Sequence, residues 1–289
     1  MIFTPYFKTG FATRPVVPKP FSDATGLQVL RDQFTIQTWL LFGAALQSIF
    51  YLLPLRPAYK VAPAFILLAI TAIDTLLVTL NLKKNSYMVG TIGTKVTALI
   101  PNQDGSYGST TDSSGDIKNK DKIAVLLLST RSNHPLGPLA PGVQALAGYF
   151  TKMEKDLKGN ADKNGFLGNT TYLNISDSRT TKSELMFTFY FRSLADIHEW
   201  AHGPAHREGW NWWSKTEAQW RHISIAHEVY EAPKGAFEGI WINSHPTGFA
   251  ATSYPVKQKE GGLNWVSPIV EAKRGPLASS LGRINAYSA

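Results

Sequence analysis

Residues 184–202, ELMFTFYFRSLADIHEWAH, decide the fold that this sequence predicts. Aromatic side chains alternate with smaller ones through 184–191, which is typical of a β-strand with one buried face. Ser193 or Asp196 then offers an N-cap for a helix that runs through Trp200. A strand followed directly by a short helix predicts an α+β domain rather than an all-helical or all-β one.

The elements predicted around this stretch complete the pattern. In chain order they are a strand at 123–129, a helix at 143–157, strands at 170–175 and 184–191, helices up to residue 202 and from 205 to 219, and strands at 222–231 and 237–243. This order is the ferredoxin-like split βαβ unit with one additional strand at the end. Because such helices cover only one sheet face, we expect two copies to pair into a ferredoxin-like dimeric α+β barrel.

Two apolar segments precede this domain, at 36–55 and 61–82. About 20 mostly apolar residues are enough to cross a bilayer, and only the short stretch 56–60 separates the two. The sequence therefore predicts a transmembrane helical hairpin at 36–82. Lys and Arg are more frequent outside the hairpin than in its loop, so the positive-inside rule places the soluble domain in the cytosol. The expected location is the endoplasmic reticulum membrane, with two spans.

The complete predicted organisation has five parts, namely an N-terminal cytosolic segment (1–35), the hairpin (36–82), a linker (83–122), the ferredoxin-like α+β barrel domain (123–250) and a C-terminal tail (251–289). The net charge is +8, but the basic residues are scattered, so no nucleic-acid partner is expected. The chain has no cysteine, which excludes disulfides, thiolate metal sites and cysteine nucleophiles.

Histidine and tryptophan concentrate in one region, where we expect the functional site. Five of the seven histidines and five of the eight tryptophans lie between His198 and His227, and 198–213 reads HEWAHGPAHREGWNWW. His198 and His202 match the H-E-x-x-H pattern of zinc proteases. However, Gly203-Pro204 ends the helix there and the longer G-x-x-H extension is missing. Pocket or structural histidines are therefore favoured, while a non-hydrolytic metal or haem ligand stays an alternative.

Strand 222–231 alternates its side chains between two faces. His227 lies on one face with Ile225 and Val229, and Glu228 and Tyr230 lie on the other. A polar side chain on an otherwise apolar strand face needs a hydrogen-bond partner, so these three residues are candidates for a lined pocket. The alternative is an exposed polar face. Among the tryptophans, Trp212 and Trp213 point different ways on a helix, so at least one is expected to line a cavity.

At 198–213 and at 222–243, HISIAHEVYEAPKGAFEGIWIN, the sequence resembles a fungal monooxygenase family named after a membrane-associated tailoring enzyme of the fumagillin pathway. That family is related to the antibiotic biosynthesis monooxygenases. The resemblance covers roughly 123–248, and the apolar N-terminal region also matches in kind. The positions that carry the family's His, Trp, His-Glu, Tyr and Glu are His206, Trp210, His227, Glu228, Tyr230 and Glu238.

The resemblance implies a dimeric α+β barrel that oxygenates a lipophilic intermediate such as a terpenoid or polyketide. Some members of the wider superfamily need no cofactor, because the substrate carbanion itself reduces O₂, whereas other dimeric α+β barrels bind haem through a histidine. The resemblance therefore leaves the cofactor as none or unknown, with haem still open.

Our leading hypothesis is a membrane-anchored, monooxygenase-like tailoring enzyme of secondary metabolism. In it His206 or His227 is the general base, Glu228 orients that base and Tyr230 stabilises a developing oxyanion. The predicted substrate-binding residues are His202, Trp210, Trp213, Glu238 and Trp241, and no metal site is predicted. The expected partners are a lipophilic small molecule, the membrane and a second copy. The alternatives are a haem-dependent dehydratase-like enzyme, a non-redox cyclase or isomerase, and a non-catalytic membrane scaffold.

Overall fold

The computed structural model describes residues 2–8, 10–14, 31, 34–108, 121–174, 184–258 and 261–287. Its helices are α1 (Ile36–Leu52), α2 (Pro57–Thr79), α3 (Val143–Gly159), α4 (Ala161–Asn164), α5 (Leu194–Ala201), α6 (Pro204–Thr216) and α7 (Ser280–Ile284). Its strands are β1 (Val96–Ala98), β2 (Lys122–Ser132), β3 (Phe166–Asn174), β4 (Glu184–Phe191), β5 (Ile223–Pro233), β6 (Tyr254–Lys257), β7 (Leu263–Val266) and β8 (Ile269–Glu271). Short 3₁₀ turns include Ser86–Met88 and Gly248–Ala251.

A four-stranded antiparallel sheet forms the centre of the domain, with the strand order β3-β4-β2-β5. The units β2-α3-β3 and β4-α5-α6-β5 interlock in this sheet, so the predicted α+β class and the predicted order of the first seven elements, from the strand at 123–129 to the strand at 222–231, are confirmed. The register places Leu126 of β2 between Phe189 of β4 and Val229 of β5. Because β5 is an edge strand, one of its sides has no neighbour within the described residues.

One face of the sheet packs against the helices. Alternate residues point to this face, so the aromatic side chains of β4 meet the apolar sides of α3 and α5. The buried members of this cluster include Ala124, Leu157, Phe166, Phe189, Phe191 and Ile197. Burial of such a contiguous apolar cluster is the main favourable term for a domain of this size.

The opposite face is covered only at one end. There Ile123 and Leu167 pack against Ala98, Ile100, Phe249 and Tyr254, which come from before and after the central unit. Further along the same face, Ser129 of β2 is partly exposed and its neighbour Ala226 of β5 is exposed. Half of this face is thus uncovered by the described part of the chain.

The strand predicted at 237–243 is wrong. After β5 ends at Pro233 the chain is irregular through 237–243, where Trp241 pairs with Val96 through an isolated bridge. Phe237 and Trp241 pack onto the buried clusters, whereas Ile240 and Ile242 are exposed. In this irregular segment, residues that pack on the core alternate with exposed residues. The resulting sequence pattern resembles that of a β-strand, which explains the wrong prediction.

The segments outside the central unit form further structure that the sequence pattern did not predict. β1 pairs with β8, and β6 pairs with β7 in a hairpin. Residues 2–8 and 10–14, here called the N-terminal strap, lie across these pairs. In the strap, Tyr6 N donates to Ile269 O at 2.9 Å, and Phe11 and Trp265 exchange two backbone hydrogen bonds of 2.8 Å. Residues 109–120 of the predicted linker (83–122) lie outside the described residues.

The apolar N-terminal region forms two helices in contact with each other. Gln47 Nε2 of α1 donates to Lys60 O of α2 at 2.8 Å. Among the described helices, α2 is the one that is long and apolar enough to cross a membrane. The helix α1 is apolar but has only 17 residues, which is slightly too short by the same measure. The carboxylate of Asp74 in α2 is paired with Lys83, which accounts for a charge within the apolar segment. The described helices thus establish one candidate span rather than the two predicted.

Candidate functional site

The turn between α5 and α6 assembles the histidine region. Ser193 caps α5 by accepting a hydrogen bond from Asp196 N at 3.1 Å, as predicted. The helix ends at His202, and Gly203-Pro204 starts α6, where proline fits the first helical position. A side chain at Gly203 would meet Trp200 O at 2.9 Å, so glycine permits the tight turn. As a result the ring of Trp200 contacts the ring of His206 edge-on, with 5.0 Å between their centroids.

His206 lies on α6, and its side chain is half-buried. Burial lowers its pKa below the usual value, the nearby His227 and His202 lower it further, and a hydrogen bond to the Ala201 carbonyl opposes this. A lowered pKa keeps the imidazole neutral at neutral pH. A neutral imidazole carries a lone pair on one of its two ring nitrogens, which can accept a proton. His206 is therefore the candidate general base that fits this environment.

The structure brings His202 and His227 close to His206. His227 lies opposite Leu128 in the sheet and shares its face, so it points toward the helices. His202 is exposed, and its Nδ1 lies 2.7 Å from His198 O. No three His, Asp or Glu side chains of the described residues are grouped so that they could hold a metal ion. His202, His206 and His227, here called the histidine cluster, form a polar group at the edge of the helical layer.

The tryptophans of α6 divide between two faces of the helix. Trp210 and Trp213 follow His206 at spacings of four and seven residues, so they share its face. Trp210 is 58% exposed, whereas Trp213 is half-buried. Trp212 instead stacks on Tyr149 of α3, with 5.0 Å between the ring centroids. Trp210 and Trp213 are thus placed to form an apolar wall beside the histidine cluster, and Trp212 packs the helical layer.

Glu228 and Tyr230 lie on the other face of the sheet, away from the histidine cluster. Their partners across β2 are Leu127 and Val125. The Tyr230 hydroxyl donates to the Glu228 carboxylate, and this bond raises the pKa of Tyr230, with the carboxylate charge adding to the effect. Glu228 does not contact His227 as an orienting group would, because consecutive strand residues point to opposite faces. The structure therefore separates the four predicted catalytic residues into two pairs.

Glu238 and Trp241 are also remote from the histidine cluster. Glu238 Oε2 accepts from Arg283 Nε at 2.7 Å, and this hydrogen bond lowers the pKa of Glu238. Arg283 itself is 5% exposed, so the pair fastens α7 to the segment after β5. Trp241 packs on Val96 and Ile269. Both residues serve packing in this structure, on the side of the sheet opposite to the helices.

The described cavities lie elsewhere. One of about 540 Å³ opens between the N-terminal strap and the β6–β7 hairpin, with Lys8, Tyr107 and Asn264 among its lining residues. A second, of about 510 Å³, is an open depression on α3 lined by Thr151, Glu154, Lys155, Lys158 and Gly159. Neither includes a predicted site residue. The histidine cluster is thus an open polar edge, not the lining of one of these two cavities.

Sequence reasoning missed the supporting residues of this edge. Trp200 Nε1 donates to Asp156 Oδ2 of α3 at 3.1 Å, which fixes the indole that contacts His206. Trp200 lies three residues after the buried Ile197 on the same helix, so helical periodicity places both toward the core. The H-E-x-x-H spacing drew attention to its histidine neighbours instead. No local pattern points to Asp156, because it lies on a different helix.

The comparisons with known proteins agree on one family. Residues 123–249 match the sequence model of the family described as Monooxygenase af470-like. Over 257 residues the chain is 29% identical to Monooxygenase af470 of Aspergillus fumigatus, which covers 88% of this chain and 89% of that protein.

Solved structures match parts of this chain with low TM-scores. An aldoxime dehydratase in complex with butyraldoxime matches 54% of this chain and 39% of its own, with 16% identity and a TM-score of 0.37. SnoaB, a cofactor-independent oxygenase from Streptomyces nogalater, matches 39% of this chain and 93% of its own, with 11% identity and a TM-score of 0.26. The matched family model spans the central sheet together with α3 to α6. Region 123–249 of this chain is therefore similar to the Monooxygenase af470-like family.

Proposed function

We propose that this chain is a membrane-anchored monooxygenase that tailors a lipophilic intermediate, such as a terpenoid or polyketide. The observation that carries the proposal is the environment of His206, a half-buried imidazole with a lowered pKa beside an exposed tryptophan. It lies in the region that matches the monooxygenase family. A neutral imidazole next to an apolar wall suits removal of a proton from a weakly acidic C–H group of an apolar substrate.

The proposed reaction needs O₂ and no further reductant. His206 takes a proton from an activated CH₂ group, and the resulting carbanion supplies electrons to O₂. One oxygen atom forms the new carbonyl bond, and the other leaves as water with the two hydrogens of the CH₂ group. The balance is R₂CH₂ + O₂ → R₂CO + H₂O, in which the substrate carbon is oxidised by four electrons and O₂ is reduced by four. His227 and His202 line the approach, while Trp210 and Trp213 hold the apolar part of the substrate.

The N-terminal strap supports a two-helix anchor. The strap precedes α1 and the domain follows α2, yet Glu271 N donates to Thr4 O of the strap at 3.1 Å. Segments that pack together lie on the same side of a membrane, so the intervening chain crosses an even number of times. We therefore propose that α1 and α2 cross as a hairpin, with strap and domain in the cytosol at the endoplasmic reticulum.

The uncovered half of the sheet supports pairing with a second copy. Glu228 and Tyr230 belong to this face, together with Ser129 and Ala226, and one edge of β5 has no neighbouring strand among the described residues. Burial of such a face between two sheets is the arrangement expected of a dimeric barrel. Glu228 and Tyr230 then belong to the dimer interior rather than to the site of His206.

The catalytic proposal is tested with an apolar anthrone, whose acidic CH₂ group matches the chemistry. Detergent-purified protein is expected to consume O₂ and to place one ¹⁸O atom from ¹⁸O₂ in the product. His206→Gln should reduce kcat by about 10²–10⁴-fold, the usual contribution of a general base, while the matched variant His222→Gln keeps the rate. Full turnover in His206→Gln refutes the assignment. Conversion without O₂ indicates an isomerase or cyclase, and a Soret band in the purified protein indicates a haem enzyme.

The dimer is tested separately by light scattering in detergent. We expect a protein mass of twice 31.9 kDa. Ala226→Arg, which adds a charge to the exposed open face, should yield the monomer mass, and Ala218→Arg, at an exposed position after α6, should not. A monomeric unaltered protein, or equal masses for the two variants, counts against pairing through this face.

A further inference from the structure

The chain leaves α2 in a compact turn that keeps the following residues near the helix end. The backbone N–H groups of Leu82 and Lys83 both bond to Leu77 O, at 2.9 and 3.1 Å. The next four residues reach the turn Ser86–Met88, and an extended chain covers at most ~3.5 Å per residue, or ~14 Å in four. The polar interface of a bilayer is of the order of 5–8 Å thick on each side of its hydrocarbon core. Tyr87 and Met88 are therefore held within or next to this interface if α2 spans the bilayer.

The apolar and aromatic side chains at this point are exposed. Tyr87 is 84% exposed, Met88 54% and Val89 50%. Lys83 and Lys84 precede them. Aromatic residues at headgroup level with lysines beside them are the ordinary composition of a cytosolic membrane interface.

The same turn is fixed to the domain, so it determines how the domain is oriented. Ile92 N donates to Ser244 O at 3.0 Å, and His245 Nε2 lies 3.2 Å from Tyr87 O. These bonds place the loop 240–245 beside the turn. In that loop Ile242 is 57% exposed and Ile240 40%. Two exposed isoleucines of the domain thus lie next to the exposed residues that follow the helix.

We propose that Tyr87, Met88, Val89, Ile240 and Ile242, together with Lys84, form a docking surface for an anionic lipid leaflet. The domain then lies on the membrane with its 240–245 loop in the headgroup layer and with α3, across the sheet, pointing away. Lipid is identified as the occupant because the surface continues directly from α2. Tyr87 lies only four residues after Lys83, whose backbone N–H is still bonded to Leu77 O of the proposed span. The inference rests on the proposed membrane anchor.

The absence of cysteine from the chain allows single-cysteine labelling of the complete protein. Three variants carry an environment-sensitive fluorophore in nanodiscs that contain anionic lipid, namely Ile242→Cys on the docking surface, Lys155→Cys on the outer side of α3, and Leu68→Cys inside α2. We expect a blue-shifted emission at Ile242 that is quenched by headgroup-labelled spin lipids, emission at Leu68 quenched by deep spin labels, and neither effect at Lys155.

The outcomes separate this proposal from the anchor on which it rests. If Ile242 behaves like Lys155 while Leu68 is quenched from the deep position, the docking surface is wrong and the anchor stands. If Leu68 is not quenched by the deep label, the anchor fails. A Lys84→Glu change, or replacement of anionic by zwitterionic lipid, should weaken the quenching at Ile242 and leave that at Leu68 unchanged. Equal quenching at Ile242 in both lipids overturns the anionic preference.

Discussion

The pKa of His206 sets the pH range in which the proposed base is neutral. Burial is the main reason why the pKa of His206 is lowered, and the nearby His227 and His202 lower it further. We therefore expect the NMR signal of the His206 ring to titrate below the ordinary histidine value of about 6.5. In His227→Gln the midpoint should rise but stay below that value, because burial remains. A midpoint at or above 6.5 in the unaltered protein contradicts the half-buried position.

The same residue links folding to pH. Because its folded pKa lies below the unfolded one, the folded state favours the neutral ring. The contribution of His206 to the free energy of unfolding is fully present above about pH 6.5 and is lost as the pH falls through the lowered folded value. In His206→Gln the thermal unfolding midpoint should fall less steeply across this interval than in the unaltered protein. Identical slopes contradict this linkage.

Among the elements, α5 holds the histidine cluster in place through its N-cap. Ser193 accepts from Asp196 N and donates to Asp196 Oδ2 at 2.6 Å. Ser193→Ala should cost about 1 kcal/mol of stability, as for other N-caps, and should lower the thermal midpoint in detergent. Ser193→Thr keeps an acceptor and should retain most of the stability. Equal midpoints for the Ala and Thr variants are evidence against a role for the cap.

Elements were predictable from the sequence where the signal is local. β4 shows its aromatic alternation within eight residues, and α5 carries its own cap and its own terminating Gly203-Pro204. The pair β1–β8 has only three residues per strand, and Val96 meets Glu271 from the other end of the chain. No local pattern encodes such a pairing. Strand alternation alone already places Glu228 and His227 on opposite faces of the sheet. The contact between His206 and Trp200, in contrast, depends on the geometry of the turn between their helices, which the spacing of residues in the sequence does not specify.

For the whole molecule the proposed membrane anchor raises the question of how often the chain would cross a bilayer. The N-terminal strap packs on the domain through Arg14 as well as through its backbone. Arg14 Nε donates to Ser253 Oγ at 3.3 Å, and its guanidinium lies over the Phe166 ring, 4.6 Å from the centroid. Burial lowers the pKa of Arg14 to about 10, and a residue so enclosed does not leave the domain without loss of stacking and hydrogen bonding. The two ends of the α1–α2 region are therefore held together, and under the proposed anchor they would lie on one side of the membrane.

This arrangement predicts the labelling pattern of single cysteines in sealed microsomes with their cytosolic face outward. Thr13→Cys, in the strap, and Lys155→Cys, on α3, should both react with a membrane-impermeant maleimide. Arg56→Cys, between α1 and α2, should react only after detergent is added, because a hairpin carries this loop to the lumen. Reaction of Arg56→Cys in sealed vesicles means that both helices lie on the cytosolic surface. Opposite behaviour of Thr13→Cys and Lys155→Cys means a single span, which requires the strap to be detached from β7 and β8.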